Sequence, residues 1–582
     1  MVKTGARRRL VKLVGMFKSL SDPSAGGGAA LGGYADSFAE GPYSLANAYL
    51  KSYCDAIPRV RSRNELRLVN LQDRTDAGRG SEEFRLSPQD IAILSEGAPA
   101  AVCFSSYCWN SEAVLEACRG LKALLPETKT VVGGRAAGGS PVRVLDENPA
   151  VDFVVSGEGE TPFSSLLLCD FAPSGLVGGL SYRTADGRAV AAAPAEPIRD
   201  LDSIPSPYER GIVSPPADGM LMELSRGCLY ACGYCDWNAA KPRRHFSAGR
   251  IGSDLEWALS RGIRHITLVD SAINYETERL REFVSVLGRI DPGRTLSFSY
   301  NLRHEYVNEE QAELLGGIVP RQVLLGLETL NDGALENSGR ARFDARRFER
   351  ALRLTSEVAP PLVGVVLGLP GDTAEGFVAT MEYLGRLSRE QGTKPLIGAV
   401  LVSLLQVFQG TRLYEERSRF GLNIRTRGIP YLTSSASFSF EDLQSCVRYL
   451  QRFRFRHPVV VKGPEGLSVL TGENGPDLLR ENVRNLLNPW EQGTERDGWR
   501  FEKALPISDG EGFGVYAFRR MGSADAVEIR LDRRDTSKSC LSRSTFFNIH
   551  CRERVPGEDA AARLRDIVLG LVRENEGWVV GL

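Results

Sequence analysis

Residues 225–235 form the most informative stretch of the chain, Ser225-Arg-Gly-Cys228-Leu-Tyr-Ala-Cys232-Gly-Tyr234-Cys235. Thiolates are soft ligands that suit iron–sulfur clusters and zinc. A loop with three thiolates at this spacing can bind three irons of a cubane and leave the fourth iron open to a chelating ligand. A closed zinc site needs a fourth protein ligand and commonly shows a second CxxC pair, which we do not find. Zinc and unrelated buried cysteines remain the alternatives.

Composition argues against several other classes of protein. With 582 residues the chain is long enough for two to four domains. A formal net charge of −1 gives no reason to expect a nucleic acid or an anionic membrane as a partner. No apolar stretch is long enough to span a bilayer, and eleven cysteines in this length do not form a disulfide framework. Without a clear signal peptide, we expect a cytoplasmic protein.

Residues 1–200 alternate short apolar runs with amphipathic stretches, which predicts a doubly wound, Rossmann-like parallel sheet. Ligands bind such sheets at the carboxyl ends of the strands, where glycines occur here. The composition of 22–42 predicts a loop, and the prolines of 201–218 predict a linker. We predict strands at Leu10–Phe17, Leu66–Leu71, Ala100–Ser105, Thr130–Val132 and Asp152–Val155, and a helix at Ser111–Leu124.

Residues 219–428 alternate again and predict an open, partial (β/α)6 barrel, whose reactive residues lie at the carboxyl ends of strands. Residues 429–582 have weaker periodicity, and we expect an α+β domain of unknown role with helices at Phe440–Phe453 and Ala560–Glu574. The predicted barrel elements are strands at Leu221–Leu224, His265–Val269, Leu296–Tyr300, Val323–Leu327, Leu362–Leu367 and Leu396–Leu401, with helices at Glu276–Leu287 and Thr373–Leu387.

The cysteine spacing, with the aromatic Tyr234 just before the last cysteine, resembles the radical S-adenosylmethionine (SAM) superfamily. This resemblance implies that Cys228, Cys232 and Cys235 hold a 4Fe–4S cluster whose open iron binds SAM. Segments that follow the second, fourth, fifth and sixth barrel strands also resemble family motifs, in the expected order. The SAM contacts implied by this resemblance are Tyr234, Asp270, Ser271, Glu328, Asn331, Gly368, Leu369 and Pro370.

The first part of the chain resembles the N-terminal domain of cobalamin-binding radical SAM proteins. In such proteins the flat corrin ring lies between the strand ends of this sheet and the barrel. Aromatic and glycine-rich strand ends suit a large apolar macrocycle with an amide fringe. The cobalamin contacts implied by this resemblance are Tyr107, Trp109, Asn110, Gly133, Gly134, Arg135, Gly157, Glu158 and Gly159.

The histidines of the chain bear on how cobalt would be held. All five, His245, His265, His304, His457 and His550, lie beyond residue 200. We therefore predict that no histidine of this domain binds cobalt, which favours a nucleophilic Co(I) state. Arg135 stands where family members often have proline, and we hypothesise that it lies close to the corrin and keeps a lower ligand away; a solvent-exposed arginine is the alternative.

The resemblance implies a class B-like methyltransferase that passes a methyl group from SAM, via methylcobalamin, to a carbon centre of a natural-product or peptide intermediate, as in antibiotic biosynthesis. An external donor such as flavodoxin or ferredoxin would supply electrons, and we expect a monomer. The catalytic residues are unknown. Tyr300, Arg303 and Tyr306, near the end of the third barrel strand, are candidates for substrate contact, with packing as the default role.

Three other functions stay open at this stage. A cobalamin radical SAM enzyme can rearrange or cyclise its substrate without methyl transfer. A methylthiotransferase would need a second set of cluster cysteines and an RNA-binding domain, for which the sequence gives no convincing signal. A non-enzymatic cobalamin or iron–sulfur sensor would not need the SAM motifs around Asp270, Glu328 and Gly368.

Overall fold

The structure is a computed structural model. It describes residues 8–18, 43–73, 84–184, 186–215, 219–235, 237, 242–389, 395–425, 428–452, 459–463 and 466–470, and five strands between residues 495 and 553. Beyond residue 463 only the backbone is described. The loop predicted over 22–42 and the helix predicted at Ala560–Glu574 lie outside the described residues. No helix among the described residues has both the length and the apolar character needed to cross a membrane.

The first sheet has seven strands in the order β2-β1-β3-β4-β5-β6-β7. Strands β1 to β5 pair in parallel and β6 and β7 add an antiparallel edge, which confirms the predicted doubly wound, mixed α/β fold. The strands are β1 Arg9–Lys18, β2 Asn64–Asp73, β3 Ala101–Ser105, β4 Lys129–Gly133, β5 Phe153–Val155, β6 Leu180–Arg183 and β7 Ala189–Ala191.

Helices cover both faces of this sheet because apolar residues point to both sides of its parallel strands. Val14 and Val102 pack with the helix Ser111–Leu124 on one face, and Leu13 and Cys103 pack with the helix Glu160–Leu168 on the other. The helices of this region are Leu45–Ala56, Pro58–Arg63, Pro88–Ser95, Ser111–Leu124, Arg135–Gly138, Pro141–Glu147 and Glu160–Leu168, with a single 3₁₀ turn at Leu201–Ser203.

The second sheet has the order β19-β18-β15-β14-β13-β12-β11-β8, and its six strands from β8 to β15 are parallel, as expected for a partial barrel. A seventh parallel strand, β18, extends it beyond the six predicted units. Its strands are β8 Met220–Met222, β11 His265–Leu268, β12 Ser297–Leu302, β13 Val319–Glu328, β14 Leu362–Leu367, β15 Ala399–Leu404, β18 Val459–Gly463 and β19 Gly466–Leu470. Two further two-stranded sheets pair β9 Ser225–Arg226 with β10 Arg244–His245 and β16 Asn423–Ile424 with β17 Leu432–Ser434.

Two barrel strands are offset from their predicted positions. The strand predicted at Leu396–Leu401 runs from Ala399 to Leu404, and just before it the Gly398 amide donates to the Pro361 carbonyl oxygen at 2.9 Å. The strand predicted at Leu221–Leu224 runs from Met220 to Met222, and beyond its end the Leu224 amide donates to the Asp270 carboxylate at 2.9 Å. The helices of this region are Ala248–Ser260, Thr277–Ile290, Glu309–Leu315, Asp332–Asn337, Ala345–Val358, Ala374–Ser388, Arg412–Glu415 and Phe440–Arg452, with a 3₁₀ turn at His304–Tyr306.

A second compact unit comprises residues 447–454 and 470–582. Its described residues include a five-stranded antiparallel sheet in sequence order. The strands are β20 Glu495–Arg496, β21 Trp499–Leu505, β22 Gly512–Arg520, β23 Ala526–Arg533 and β24 Phe547–Glu553.

Candidate active site

The cysteine loop leaves the barrel between two short paired strands. β9 pairs antiparallel with β10, so the residues that enter and leave the cysteine loop lie side by side. Within it, the Cys235 amide donates to the Cys232 carbonyl oxygen at 3.1 Å, and the Gly233 amide donates to the Ser338 carbonyl oxygen at 2.8 Å. These bonds attach the loop to itself and to the end of the helix Asp332–Asn337.

The donor chemistry of this loop fits a 4Fe–4S cluster. Within the described chain, Cys228, Cys232 and Cys235 are thiols rather than disulfide partners, with Cys232 buried and the others half-buried. Three thiols on one loop supply three soft ligands and leave a fourth iron without a protein ligand. Among the residues that the structure describes, no three His, Cys, Asp or Glu side chains are already grouped as a metal site. The assignment therefore depends on the ligand types and their loop.

Asp270 and Ser271 follow β11 and form hydrogen bonds to the residues that lead into this loop. The buried Asp270 carboxylate accepts hydrogen bonds from the Leu224 amide at 2.9 Å and from the Ser225 hydroxyl. The Ser271 hydroxyl donates to the Gly227 carbonyl oxygen at 3.2 Å. Burial raises the pKa of Asp270 to about 6, although both hydrogen bonds lower it. Both side chains thus position the loop, and their predicted SAM contacts stay predictions.

Glu328 lies at the end of β13 in an unusual backbone conformation, with φ of 73°. Such an angle is strained for a residue with a side chain, and strained residues are enriched at functional sites. Arg340 donates toward Glu328 at 3.2 Å and its Nη1 lies 4.0 Å from the Cys232 sulfur. Burial, followed by the charge of Glu328, raises the pKa of Tyr234 well above its ordinary value. Tyr234, Glu328 and Arg340 therefore surround one side of the cysteine loop.

The other predicted SAM residues occupy turns beside β13 and β14. The Asn331 side chain caps a helix by accepting from the Ala334 amide at 3.0 Å. Gly368, Leu369 and Pro370 are buried directly after β14, and the Pro370 carbonyl oxygen accepts from Asn337 at 3.0 Å. These two hydrogen bonds within the protein explain the path of the chain at both turns. The predicted SAM contacts of these residues stay predictions.

The residues predicted to contact substrate separate into two environments. Tyr300 is buried, and its hydroxyl finds no hydrogen-bond partner among the described residues. The Arg303 guanidinium lies 3.8 Å from the centre of the Tyr230 ring, and the Tyr306 hydroxyl accepts from Tyr230 at 3.1 Å. Arg303 and Tyr306 thus join an aromatic group beside the cysteine loop. Their substrate role stays a prediction.

An aromatic loop follows β3 at the predicted cobalamin site. The Tyr107 and Trp109 rings stack with centroids 4.6 Å apart and planes at 5°. Asn110 closes the loop, since its side chain accepts from the Tyr107 amide at 2.7 Å and donates to the Ser105 carbonyl oxygen at 3.1 Å. The two half-buried rings offer a flat apolar surface of the kind that suits a macrocycle.

The glycine pair after β4 brings the backbone close to this aromatic loop. Gly134 has φ of 98°, and a Cβ there would lie 2.5 Å from the Ser106 carbonyl oxygen, so only glycine is accommodated. Gly133 ends β4, and the half-buried Arg135 begins the helix Arg135–Gly138. A bare backbone at this strand end is what a large ligand needs for close approach.

The residues after β5 connect the first sheet to the barrel. Gly157 is exposed, Gly159 precedes the helix Glu160–Leu168, and Glu158 pairs with Arg244 through both carboxylate oxygens, one of them at 3.0 Å. Burial raises the pKa of Glu158, but the hydrogen bond from Arg244 and the charge of Arg226 together lower it by more, so the pKa lies below its ordinary value. Glu158 is therefore held ionised against the barrel, and a cobalamin contact from it stays a prediction.

Arg226 forms the second half of this connection. Its guanidinium donates to Glu160 at 2.7 Å and to Glu223 at 3.0 Å, and it lies 5.1 Å from the centre of the Tyr49 ring. Arg226 and Arg244 are directly paired across β9 and β10. We refer to Glu158, Glu160, Arg226 and Arg244 as the arginine clamp. It fixes the base of the cysteine loop to the first sheet, and sequence spacing gave no signal for it.

The carboxyl ends of three adjacent strands of the first sheet all contact the barrel. After β3, Glu112 accepts from the Gly428 amide at 2.7 Å. After β4, Gly139 approaches Gly410 so closely that a Cβ on Gly410 would lie 2.9 Å from the Gly139 Cα. After β5, Glu158 forms the arginine clamp with Arg244. The edge at which such a sheet binds its ligand therefore faces the barrel domain.

Comparison with known proteins defines the class. Residues 222–384 match the family model of the radical SAM superfamily, and residues 83–167 match that of the B12 binding domain. The chain thus combines a radical SAM domain with a B12-binding domain, which confirms both resemblances drawn from the sequence. These domains imply a 4Fe–4S cluster, SAM and cobalamin as cofactors.

Two curated methyltransferases are similar to part of this chain in sequence. A 2-(S-pantetheinyl)-carbapenam-3-carboxylate methyltransferase of Streptantibioticus cattleyicolor is 31% identical over 245 residues, which cover 39% of this chain and 33% of the relative. The cobalamin-dependent radical SAM methyltransferase TokK of Streptomyces tokunonensis is 25% identical over 307 residues, 48% of this chain and 44% of the relative. The chain therefore spans less than half the length of these two curated relatives.

Solved structures share the fold. The radical SAM methyltransferase TsrM from Kitasatospora setae, with tryptophan substrate and a SAM analog bound, superposes with a TM-score of 0.53 at 18% identity, covering 72% of this chain and 79% of that one. The cobalamin-dependent enzyme OxsB, with aqua-cobalamin and SAM bound, gives a TM-score of 0.56 at 16% identity, covering 76% and 66%. At these identities the likeness concerns the fold.

Proposed function

We propose that this protein is a cobalamin-dependent radical SAM methyltransferase that transfers a methyl group from SAM to a carbon centre of a natural-product or peptide intermediate. The observation that carries this proposal is the meeting of the two sites: the ligand edge of the first sheet faces the barrel, and the arginine clamp joins it to the base of the cysteine loop. When bound, the cofactors supply one-electron chemistry and a transferable methyl group.

Separate groups of residues would hold the iron–sulfur cluster and the cobalamin. Cys228, Cys232 and Cys235 would ligate iron, and Asp270 keeps the start of their loop in place through its two accepted hydrogen bonds. The stacked Tyr107 and Trp109 rings would contact the corrin and exclude water from its face. No histidine precedes residue 245, so the cobalt of a bound cobalamin would receive no histidine from the first sheet.

The proposal also includes a class of substrate and an electron-transfer partner. A curated relative is named for a pantetheinylated carbapenam carboxylate and a structural neighbour for a tryptophan substrate, which supports a small-molecule or peptide substrate of antibiotic biosynthesis. Electrons would come from an external flavodoxin or ferredoxin. A monomer acting in the cytoplasm, without nucleic acid or membrane partners, remains our expectation from composition.

The test is turnover with SAM deuterated on its methyl group, in the reduced full-length protein loaded with iron and cobalamin. L-Tryptophan and the pantetheinylated carbapenam carboxylate serve as trial acceptors. We expect S-adenosylhomocysteine and transfer of the deuterated methyl group to an acceptor. Formation of 5′-deoxyadenosine without labelled product would favour the rearrangement or cyclisation alternative. Absence of both SAM products would leave the sensor alternative and contradict an enzymatic function.

A further inference from the structure

Tyr275 contacts the first cysteine of the loop, a contact that the cofactor assignments do not require. It follows β11 and the segment that carries Asp270, and its side chain is buried. Its hydroxyl oxygen lies 3.2 Å from the Cys228 sulfur, within hydrogen-bond distance for sulfur. The two residues are 47 positions apart, so the contact is made by the tertiary fold.

Neighbouring side chains fix the Tyr275 ring from three directions. The Tyr306 ring packs edge-on at 5.5 Å and 87°, and the Tyr230 ring packs at 5.9 Å. The Arg243 guanidinium lies over the ring, 4.5 Å from its centre. A ring held by aromatic contacts and by a cation has little freedom to swing its hydroxyl away from Cys228.

Arg243 is held in place by few polar contacts. Its side chain is 7% exposed, and one terminal nitrogen donates to the Ala272 carbonyl oxygen at 3.2 Å. Nε and Nη1 have no hydrogen-bond partner among the described residues, and Glu276 lies 3.9 Å from Nε. A buried cation over an aromatic ring is attracted to it, which helps to hold the Tyr275 ring where it is.

We propose that the Tyr275 hydroxyl donates a hydrogen bond to the Cys228 thiolate of the iron–sulfur cluster and thereby raises the cluster's reduction potential. The inference rests on the proposed cluster. A cluster-bound thiolate has no proton, so the tyrosine must be the donor. The nearby Ser271 hydroxyl donates to the Gly227 carbonyl oxygen and also contacts the Tyr275 hydroxyl. Reduction adds negative charge to the cluster, and a donor to its sulfur stabilises the reduced state more than the oxidised one.

The expected effect is about a tenfold change in the equilibrium constant for cluster reduction, which is about 59 mV for a one-electron couple. Tyr275→Phe removes only the hydroxyl and retains the ring contacts, so we expect a more negative potential. Tyr306→Phe is the matched control: it lies in the same aromatic group, but its hydroxyl bonds to Tyr230 and not to a cysteine. We expect the control to titrate close to wild type.

The measurement is a redox titration of the reconstituted full-length protein without SAM, followed by the electron paramagnetic resonance signal of the reduced cluster. Replacement of Tyr275 by 3-fluorotyrosine, which keeps the shape and strengthens the donor, should shift the potential in the positive direction and covers the case that Tyr275→Phe fails to retain iron. Unchanged potentials in both variants would overturn the proposal. Neither outcome bears on methyl transfer, because the titration needs no cobalamin, substrate or turnover.

Discussion

Removing the Arg226 guanidinium should reveal how strongly the arginine clamp holds the two domains' binding sites together. The side chain is 11% exposed and contacts three carboxylates, Glu160 at 2.7 Å, Glu223 at 3.0 Å and Glu158 at 4.0 Å. Arg226→Met keeps much of the side-chain volume but leaves these carboxylates without their shared cation. Glu158 alone would retain Arg244.

The magnitude follows from the burial of the group. Breaking a buried ion pair by removing one partner costs about 3–5 kcal/mol, because the remaining charge stays desolvated. Burial already raises the pKa of Glu223, and losing the arginine raises it further. We therefore expect Arg226→Met to lower the free energy of unfolding by about 3–5 kcal/mol at neutral pH. The loss should shrink near pH 5, because protonation removes the uncompensated charge.

The assay is urea unfolding followed by circular dichroism, with iron and cobalt content measured on the same preparations. Arg350→Met is the control, since the Arg350–Glu309 pair lies on the same barrel but is exposed, and exposed pairs contribute little. We expect the control to unfold close to wild type. If Arg226→Met loses no more stability than Arg350→Met, the arginine clamp does not hold the first sheet to the cysteine loop.

Three further changes test other parts of the structure. Gly134→Ala should weaken cobalamin binding about tenfold in an absorbance titration, because the added Cβ would lie 2.5 Å from the Ser106 carbonyl oxygen and must displace the backbone beside the aromatic loop, in addition to the strain of about 1–3 kcal/mol at positive φ; Gly187→Ala carries the same kind of strain but in open space, and should bind normally. The raised pKa of Asp270 means that the folded state holds this proton more tightly than the unfolded chain, so the free energy of unfolding of the wild type should fall by up to about 3 kcal/mol as the pH rises from 4 to 6. Asp270→Asn should abolish this fall, and equal pH profiles of the two proteins would contradict the prediction. Asn110→Ala should open the aromatic loop and change the absorbance of bound cobalamin, whereas an unaltered spectrum would exclude a role for that loop.

The alternation of apolar runs was sufficient to predict both parallel sheets, because parallel strands are buried on both faces and leave a strong local pattern. The helix at Ser111–Leu124 and the strand at Leu362–Leu367 are confirmed at both ends. β18 was missed although it begins with three strand-forming valines, because this short run lies in the part of the chain with weak periodicity and its place beside β15 depends on the tertiary fold.

The contacts of the site were less predictable than its position. Glu158 was singled out by its glycine-rich strand end, but its pairing with Arg244 joins residues 86 positions apart. Tyr275 gave no signal, since its thiol contact requires β8 and β11 to lie side by side. Local spacing predicts ligand sets within one loop, whereas pairs between loops depend on sheet order. Asp270 and Ser271 illustrate both, because their strand end was predictable and their bonds to the loop were not.

One chain should hold both an iron–sulfur cluster and a cobalamin. The most direct test is the iron and cobalt content per chain after anaerobic reconstitution with cobalamin, beside a variant with Cys228, Cys232 and Cys235 changed to alanine. We predict about four irons and one cobalt per chain, with iron lost and cobalt retained in the variant. Iron without cobalt would contradict the cobalamin site and the methyl-transfer mechanism, and zinc in place of iron would contradict the account as a whole.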